Sequence, residues 1–209
     1  MPEADTYFDA IDIARTQRVK ELSEIKLMFT SITRADPLAV RSKAIVVLTY
    51  ANWEGFYNDC VRIYLDFLRD KKMNVADASW ALLVGALTPE FKRLRDRSHS
   101  AEAQRDFVLN LKKSIQCGFD DFDRSVVVSR SNLDFSRLSS NFILLDFDIS
   151  SLQKFKIKID KELVGWRHGV AHGNPPDLDA VNVGTHIELA SELMMIVSGL
   201  FQEEILRRL

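Results

Sequence analysis

From Pro37 to about Lys71 the chain reads PLAVRSKAIVVLTYANWEGFYNDCVRIYLDFLRDK, with one glycine, Gly55, and no proline after the first residue. A segment this long without a breaker, with apolar residues returning at three- and four-residue steps, predicts a single long helix. Asp36 suits its N-cap and Pro37 its first turn, where a missing N–H does no harm. The middle, AIVVLTYANWEGF, is apolar nearly all round. A helix of that kind must be buried on several sides, so other helices have to surround it. The five prolines and eight glycines of the 209 residues are too few for a turn-rich β architecture. The predicted fold class is all-α.

The surrounding helices can be placed from the same periodicity. Phe8, Ile11, Val19, Leu22, Ile25, Phe29 and Ile32 mark an amphipathic helix from about Glu3 to Ile32. Between Asn74 and Lys113 two or three shorter helices are expected, broken near LTPEF and RSHS, with Thr88, Pro89 and Ser98 supplying caps. SVVVS can be a short strand or an extended connection, and LDFSRLSSNFILL a short helix. Ser150 with Gln153 has the spacing of a capping box, opening a helix that GNPPD stops. Val183 to Leu209 forms the last helix, apolar at Ile187, Leu193, Ile196, Leu200 and Ile205. The expected organisation is one helical domain over 1–209, with residues 1–35 as an N-terminal helix that can stand at its periphery.

Several classes are excluded or disfavoured. Cys60 and Cys117 are the only cysteines and have no metal-like spacing, which fits packed, reduced thiols rather than a disulfide scaffold. MPEADTYFDA lacks a basic segment followed by an apolar run, and no stretch approaches a membrane span, so a cytoplasmic protein with no membrane partner is expected. The formal charge of -2 gives no bulk attraction for nucleic acid. Any such binding must come from a local patch.

One stretch, GWRHGVAHGN, holds three of the eight glycines, Gly165, Gly169 and Gly173, and two of the four histidines. Each glycine inside a helix costs roughly 1 kcal/mol relative to alanine, so something should offset the loss. On an ideal helix counted from Lys154, Phe155, Ile159, Leu163, Trp166 and Val170 form a core-facing stripe. Lys154, Lys158, Lys161, Gly165, His168, Gly169 and His172 fall on another side, polar, basic and lined with glycine. The three lysines alone fit a solvated face equally well. The glycines point to close approach, by a second helix or by a ligand's phosphate. Arg167 and His172, five apart, point about 140° from one another on such a helix. They can act together only if the helix loosens at Gly169 or Gly173, the arginine wraps round, or the groups meet across a dimer.

RHGVAH resembles the signature of the HEPN superfamily: arginine, a polar residue that is Asn, Asp or His, three residues, then histidine. The glycine after His172 and the position just before a turn and a final helix strengthen the resemblance, as does YANWEGFYND, similar to the WE segment of one prokaryotic branch. The resemblance implies a HEPN-like helical bundle with a long central helix and a C-terminal helical hairpin carrying the Arg/His motif. It further implies a homodimer whose two motifs face one cleft, and a metal-independent endoribonuclease of toxin or antiphage-defence type, with RNA as substrate and a possible antitoxin or paired defence protein. The alternative is an inactive HEPN-like module that binds RNA, a nucleotide or a partner protein.

By this reading His172 is the acid or base, Arg167 stabilises the phosphate and His168 orients or assists, while Lys154, Lys158 and Lys161 bind RNA. Gly165, Gly169 and Gly173 let RNA or the partner helix come close. Glu54 either orients Arg167 or a histidine or forms a structural ion pair. No cofactor is expected. His168 and His172, one turn apart, could share a metal ion, but no HExxH or Cys/His cluster accompanies them and the nearest further ligands, Asp177, Asp179 and His186, lie across a loop. The expected metal set is none. Trp53 and Trp166 are simplest as core aromatics. The basic segment FKRLRDRSHS is simplest as a solvated face, since Phe91 is its only aromatic.

Overall fold

The computed structural model describes residues 4–30, 38–120, 122–129, 132–174 and 183–209. Those residues are mostly helical, with no strand among them. Helix α1 runs Ala4–Thr30, α2 Leu38–Asp70, α3 Val75–Ala78, α4 Leu83–Asp96 and α5 Ala101–Ile115. Helix α6 spans Phe135–Leu145, α7 Lys156–Lys158, α8 Trp166–Ala171 and α9 Val183–Arg207. The proposed caps Asp36 and Pro37, the end of the first helix at Ile32, and Pro175 and Pro176 of the stop signal lie outside the described residues.

Helix α2 is the spine, and α1 and α9 pack along it and against each other. Trp53, Phe56, Tyr57, Cys60, Val61, Tyr64, Phe67 and Leu68 of α2 are all fully buried, as its uniformly apolar middle requires. At one end of the bundle Phe147 stands edge-on to Phe201, Tyr64 and Phe142, with centroids 4.9, 5.1 and 5.6 Å away. Aromatic rings prefer this geometry because the positive edge of one meets the negative face of the next. Helix α1 is not peripheral: Ile11, Leu22 and Ile25 are buried in this core, and Arg18 pairs with Asp59 of α2 at 3.0 Å.

Several local expectations need correction. Helix α4 continues through Pro89 rather than breaking at LTPEF. Burial of Leu83, Gly85 and Leu87 offsets the cost of an internal proline, about 3 kcal/mol, and the Thr88 hydroxyl donates to the Val84 carbonyl at 2.9 Å. The break at RSHS is present, with Ser98 and His99 at positive φ, but the cap of α5 is Ser100, whose Oγ accepts from the Ala103 N–H. SVVVS is neither strand nor extended; Arg124–Val126 makes a 3-10 turn opened by Asp123. Ser150 caps nothing. Its N–H and hydroxyl both donate to Asp148 Oδ1, and Ser150–Phe155 winds as a 3-10 helix. Asp134 caps α6 as a short polar residue should, accepting from the Arg137 N–H at 2.7 Å.

Candidate active site

The WE segment has a physical role in holding the chain that follows α5. Tyr50, Glu54, Tyr57 and Asn58 recur at helical spacing and line one face of α2. Each anchors part of the chain at 127–129 or at Leu133. The Tyr57 hydroxyl donates to the Val127 carbonyl at 3.1 Å. Asn58 exchanges two bonds with the Ser129 backbone, 2.9 and 2.8 Å. The Ser129 hydroxyl donates to Glu54 Oε1 at 2.5 Å, and the Leu133 N–H donates to the Tyr50 hydroxyl at 2.7 Å. Tyr50 and Glu54 are also hydrogen-bonded, one turn apart. Burial raises the Tyr50 pKa; the Leu133 N–H works against that shift and the Glu54 carboxylate adds to it. The phenol therefore stays neutral. The Glu54 contacts described are with Ser129 and Tyr50, so Glu54 holds this strap and makes no ion pair with Arg167 or a histidine among the described residues.

The motif helix arrives through an unusual winding. After the 3-10 turns of Ser150–Phe155 and the short α7, residues Ile159–Gly165 form π-type turns before α8 resumes the α pattern. Gly165 has an internal cause: a Cβ there would lie 3.0 Å from the Asp160 carbonyl oxygen of the same chain. Asp160 itself accepts the Phe135 N–H at 2.8 Å, tying the π segment to the start of α6. Tight and wide turns in succession mean that phase counted at a constant 100° does not carry from Lys154 to His172. Phe155, Ile159 and Leu163 are buried as expected, whereas Trp166 and Val170 are only half-buried. Lys154, Lys158 and Lys161 are exposed, with the Lys154 ammonium 4.8 Å from the centre of the Phe155 ring. Helical phase gives no reason to place them beside the histidines.

Helix α8 separates the signature into two parts. Arg167 turns toward α2: its Nη1 donates to Asn132 Oδ1 at 3.1 Å and its Cζ lies 5.1 Å from the centre of the Tyr50 ring. His168 and His172 are exposed and close together, with ring centroids 4.2 Å apart and planes inclined at 47°. The helix stays α-helical through Gly169 to Ala171, so it does not loosen at Gly169. His172 is the C-cap, and Gly173, with φ of +75°, ends the helix. The Gly173 N–H donates to Val170 and the Asn174 N–H to Gly169, at 3.3 and 2.9 Å, the pairing of a Schellman stop. Gly173 is thus required by the turn. Trp166, on the other side of α8, lies 5.2 Å from the ring of His186 in α9.

Chemically, the arrangement offers a cation held in place and two exposed imidazoles on the same short helix, with Asn132 and Tyr50 as residues the sequence reading did not single out. Tyr50 was accessible in principle, four before Glu54 on the same helix face. Asn132 carried no signal, because its place beside Arg167 depends on tertiary contacts, among them the anchoring of Leu133 on Tyr50. No cluster of three or more metal-ligating side chains occurs among the described residues; Asp177 and Asp179 lie outside them.

An all-helical bundle with an Arg-x4-His motif on the short helix before its last helix is a HEPN-type domain. Residues 14–203 match the RiboL-PSP-HEPN family, and the chain belongs to it. No curated protein and no solved structure matches. Membership points to an RNA-directed role, either cleavage or binding. No helix among the described residues is long and apolar enough to cross a membrane.

Proposed function

We propose that this protein is a metal-independent endoribonuclease acting as a homodimer, of toxin or antiphage-defence type and cytoplasmic. The observation that carries the reading is Arg167 fixed on Tyr50 and Asn132 beside an exposed pair, His168 and His172. In such a reaction the RNA 2′-oxygen attacks the adjacent phosphorus as an imidazole accepts its proton. The bond to the 5′-oxygen breaks, and that oxygen takes a proton from an acid, leaving 2′,3′-cyclic phosphate and 5′-hydroxyl ends. His172 is the acid or base, His168 its assistant, and Arg167 holds the phosphate as negative charge builds on its oxygens. Lys154, Lys158 and Lys161 remain candidates for contacts with RNA further from the cut.

Support for a dimer comes from α2. Val40, Ala44, Val47, Leu48 and Ala51 follow helical spacing, and Val40, Val47 and Leu48 are 69%, 38% and 42% exposed. An apolar stripe on the helix that carries Tyr50 suits a second copy of the chain. A twofold arrangement would also supply His172 from one copy to Arg167 of the other, since within one chain the two side chains have no contact among those described. That separation equally favours a second reading, a noncatalytic HEPN module that binds RNA, a nucleotide or a neutralising partner protein. Assay of purified protein on total RNA separates them: Arg167→Ala and His172→Ala should each lower cleavage by about 10²-fold or more. Wild type and both variants cleaving equally would overturn the nuclease assignment.

A further inference from the structure

We infer that Tyr50 and Asn132 are positioning residues that hold the Arg167 guanidinium in a fixed plane without neutralising it, so that the site requires an arginine fork and not merely a positive charge. For its consequence in turnover the inference rests on the ribonuclease reading; the seat itself does not. A carboxylate would hold an arginine more firmly, but it would also cancel the charge that a phosphate needs. Here the partners are neutral. Asn132 offers an amide oxygen at 3.1 Å, and Tyr50 offers the face of its ring, 5.1 Å from Cζ. Both distances are within the range of real hydrogen bonding and cation–π attraction.

The neighbouring carboxylate is engaged elsewhere. Glu54 accepts from Ser129 and is hydrogen-bonded with Tyr50, and no carboxylate pairs with Arg167 among the described residues. The seat is itself locked. The Tyr50 hydroxyl accepts the Leu133 N–H at 2.7 Å, and the residue is only 2% exposed, so neither ring nor strap can swing independently. A guanidinium carries five N–H donors in one plane; Asn132 takes one and the Tyr50 ring takes none of them as a hydrogen-bond acceptor in the contacts described, which leaves further donors for phosphate oxygens. Lysine, a point charge on a flexible stem, would satisfy neither the stacking nor the fork.

The test combines a spectroscopic and a kinetic measurement on the full chain. In NMR spectra the Arg167 Nε–H, identified by its loss in Arg167→Lys, should carry a ring-current shift. That shift should persist in Tyr50→Phe and vanish in Tyr50→Leu. In kinetics on a short RNA, Arg167→Lys and Asn132→Asp should each lose about 10²-fold or more in kcat with unchanged melting, Asp because it keeps the arginine in place but neutralises it. Tyr50→Phe should lose less than about tenfold. Should Tyr50→Leu fail to fold, the exposed Asn132 still decides. An Arg167 signal without ring-current shift in the wild type, or full turnover in Asn132→Asp, would overturn the inference. A wild type that shows the shifted signal but cleaves no RNA would instead reject the nuclease reading and leave the seat standing.

Discussion

Gly173 shows at the scale of one residue how a sequence signal can be real and yet have another cause. The three glycines of GWRHGVAHGN suggested close approach by RNA or a partner, but Gly173 is a left-handed helix stop and Gly165 makes room for the chain's own Asp160 carbonyl. Gly169 lies half-buried within α8. Gly173→Ala should therefore destabilise by about 1 kcal/mol through backbone strain alone, since open space surrounds the position. For a chain of this length that is a melting shift of about 2–4 °C, measurable by calorimetry. No change would mean that the turn relaxes away from positive φ. Arg167, His168 and His172 were visible as a motif because their identities are the signal. Asn132 was not, because a lone asparagine in a polar connection has no distinguishing neighbour; only its contact with Arg167 marks it.

The helices that could be read from the chain were those with long, regular periodicity: α1, α2 and α9 lie close to their expected spans, and α6 is where LDFSRLSSNFILL placed a helix. What could not be read were departures from regular winding. Residues 150–165 pass through 3-10, α and π turns, and no residue pattern announces a change of pitch. Burial beside α9 was equally hidden. His186 carried no motif, yet it is 1% exposed, stacks near Trp166, and has neither ring nitrogen hydrogen-bonded among the described residues. Burial depresses its pKa from 6.5 to about 4. Between those values the unfolded chain binds the proton more readily than the folded one, so stability is intact above the unfolded value and is lost as pH falls toward the folded one. At pH 4.5 the loss should be about 2–3 kcal/mol. Melting curves from pH 7 to 4.5 should fall more steeply for the wild type than for His186→Leu. Parallel curves would show that His186 does not carry this dependence.

For the whole molecule the question is whether the site is completed by a second copy. If each centre takes Arg167 from one chain and His172 from the other, a mixed dimer of Arg167→Ala and His172→Ala has one centre with both lesions and one with neither. Random exchange of an equal mixture should then return roughly a quarter of wild-type activity. Differently tagged chains establish the exchange; proven exchange with no recovery would reject a centre split in this way. The central claim is chemical, however, and the most direct measurement of it is end-group analysis of RNA cut by the purified protein in excess EDTA. The account predicts that cleavage persists, that the fragments carry 2′,3′-cyclic phosphate or 3′-phosphate with 5′-hydroxyl ends, and that Arg167→Ala and His172→Ala produce neither. Cleavage that stops in EDTA and returns with zinc or magnesium, or fragments with 5′-phosphate and 3′-hydroxyl ends, would contradict it.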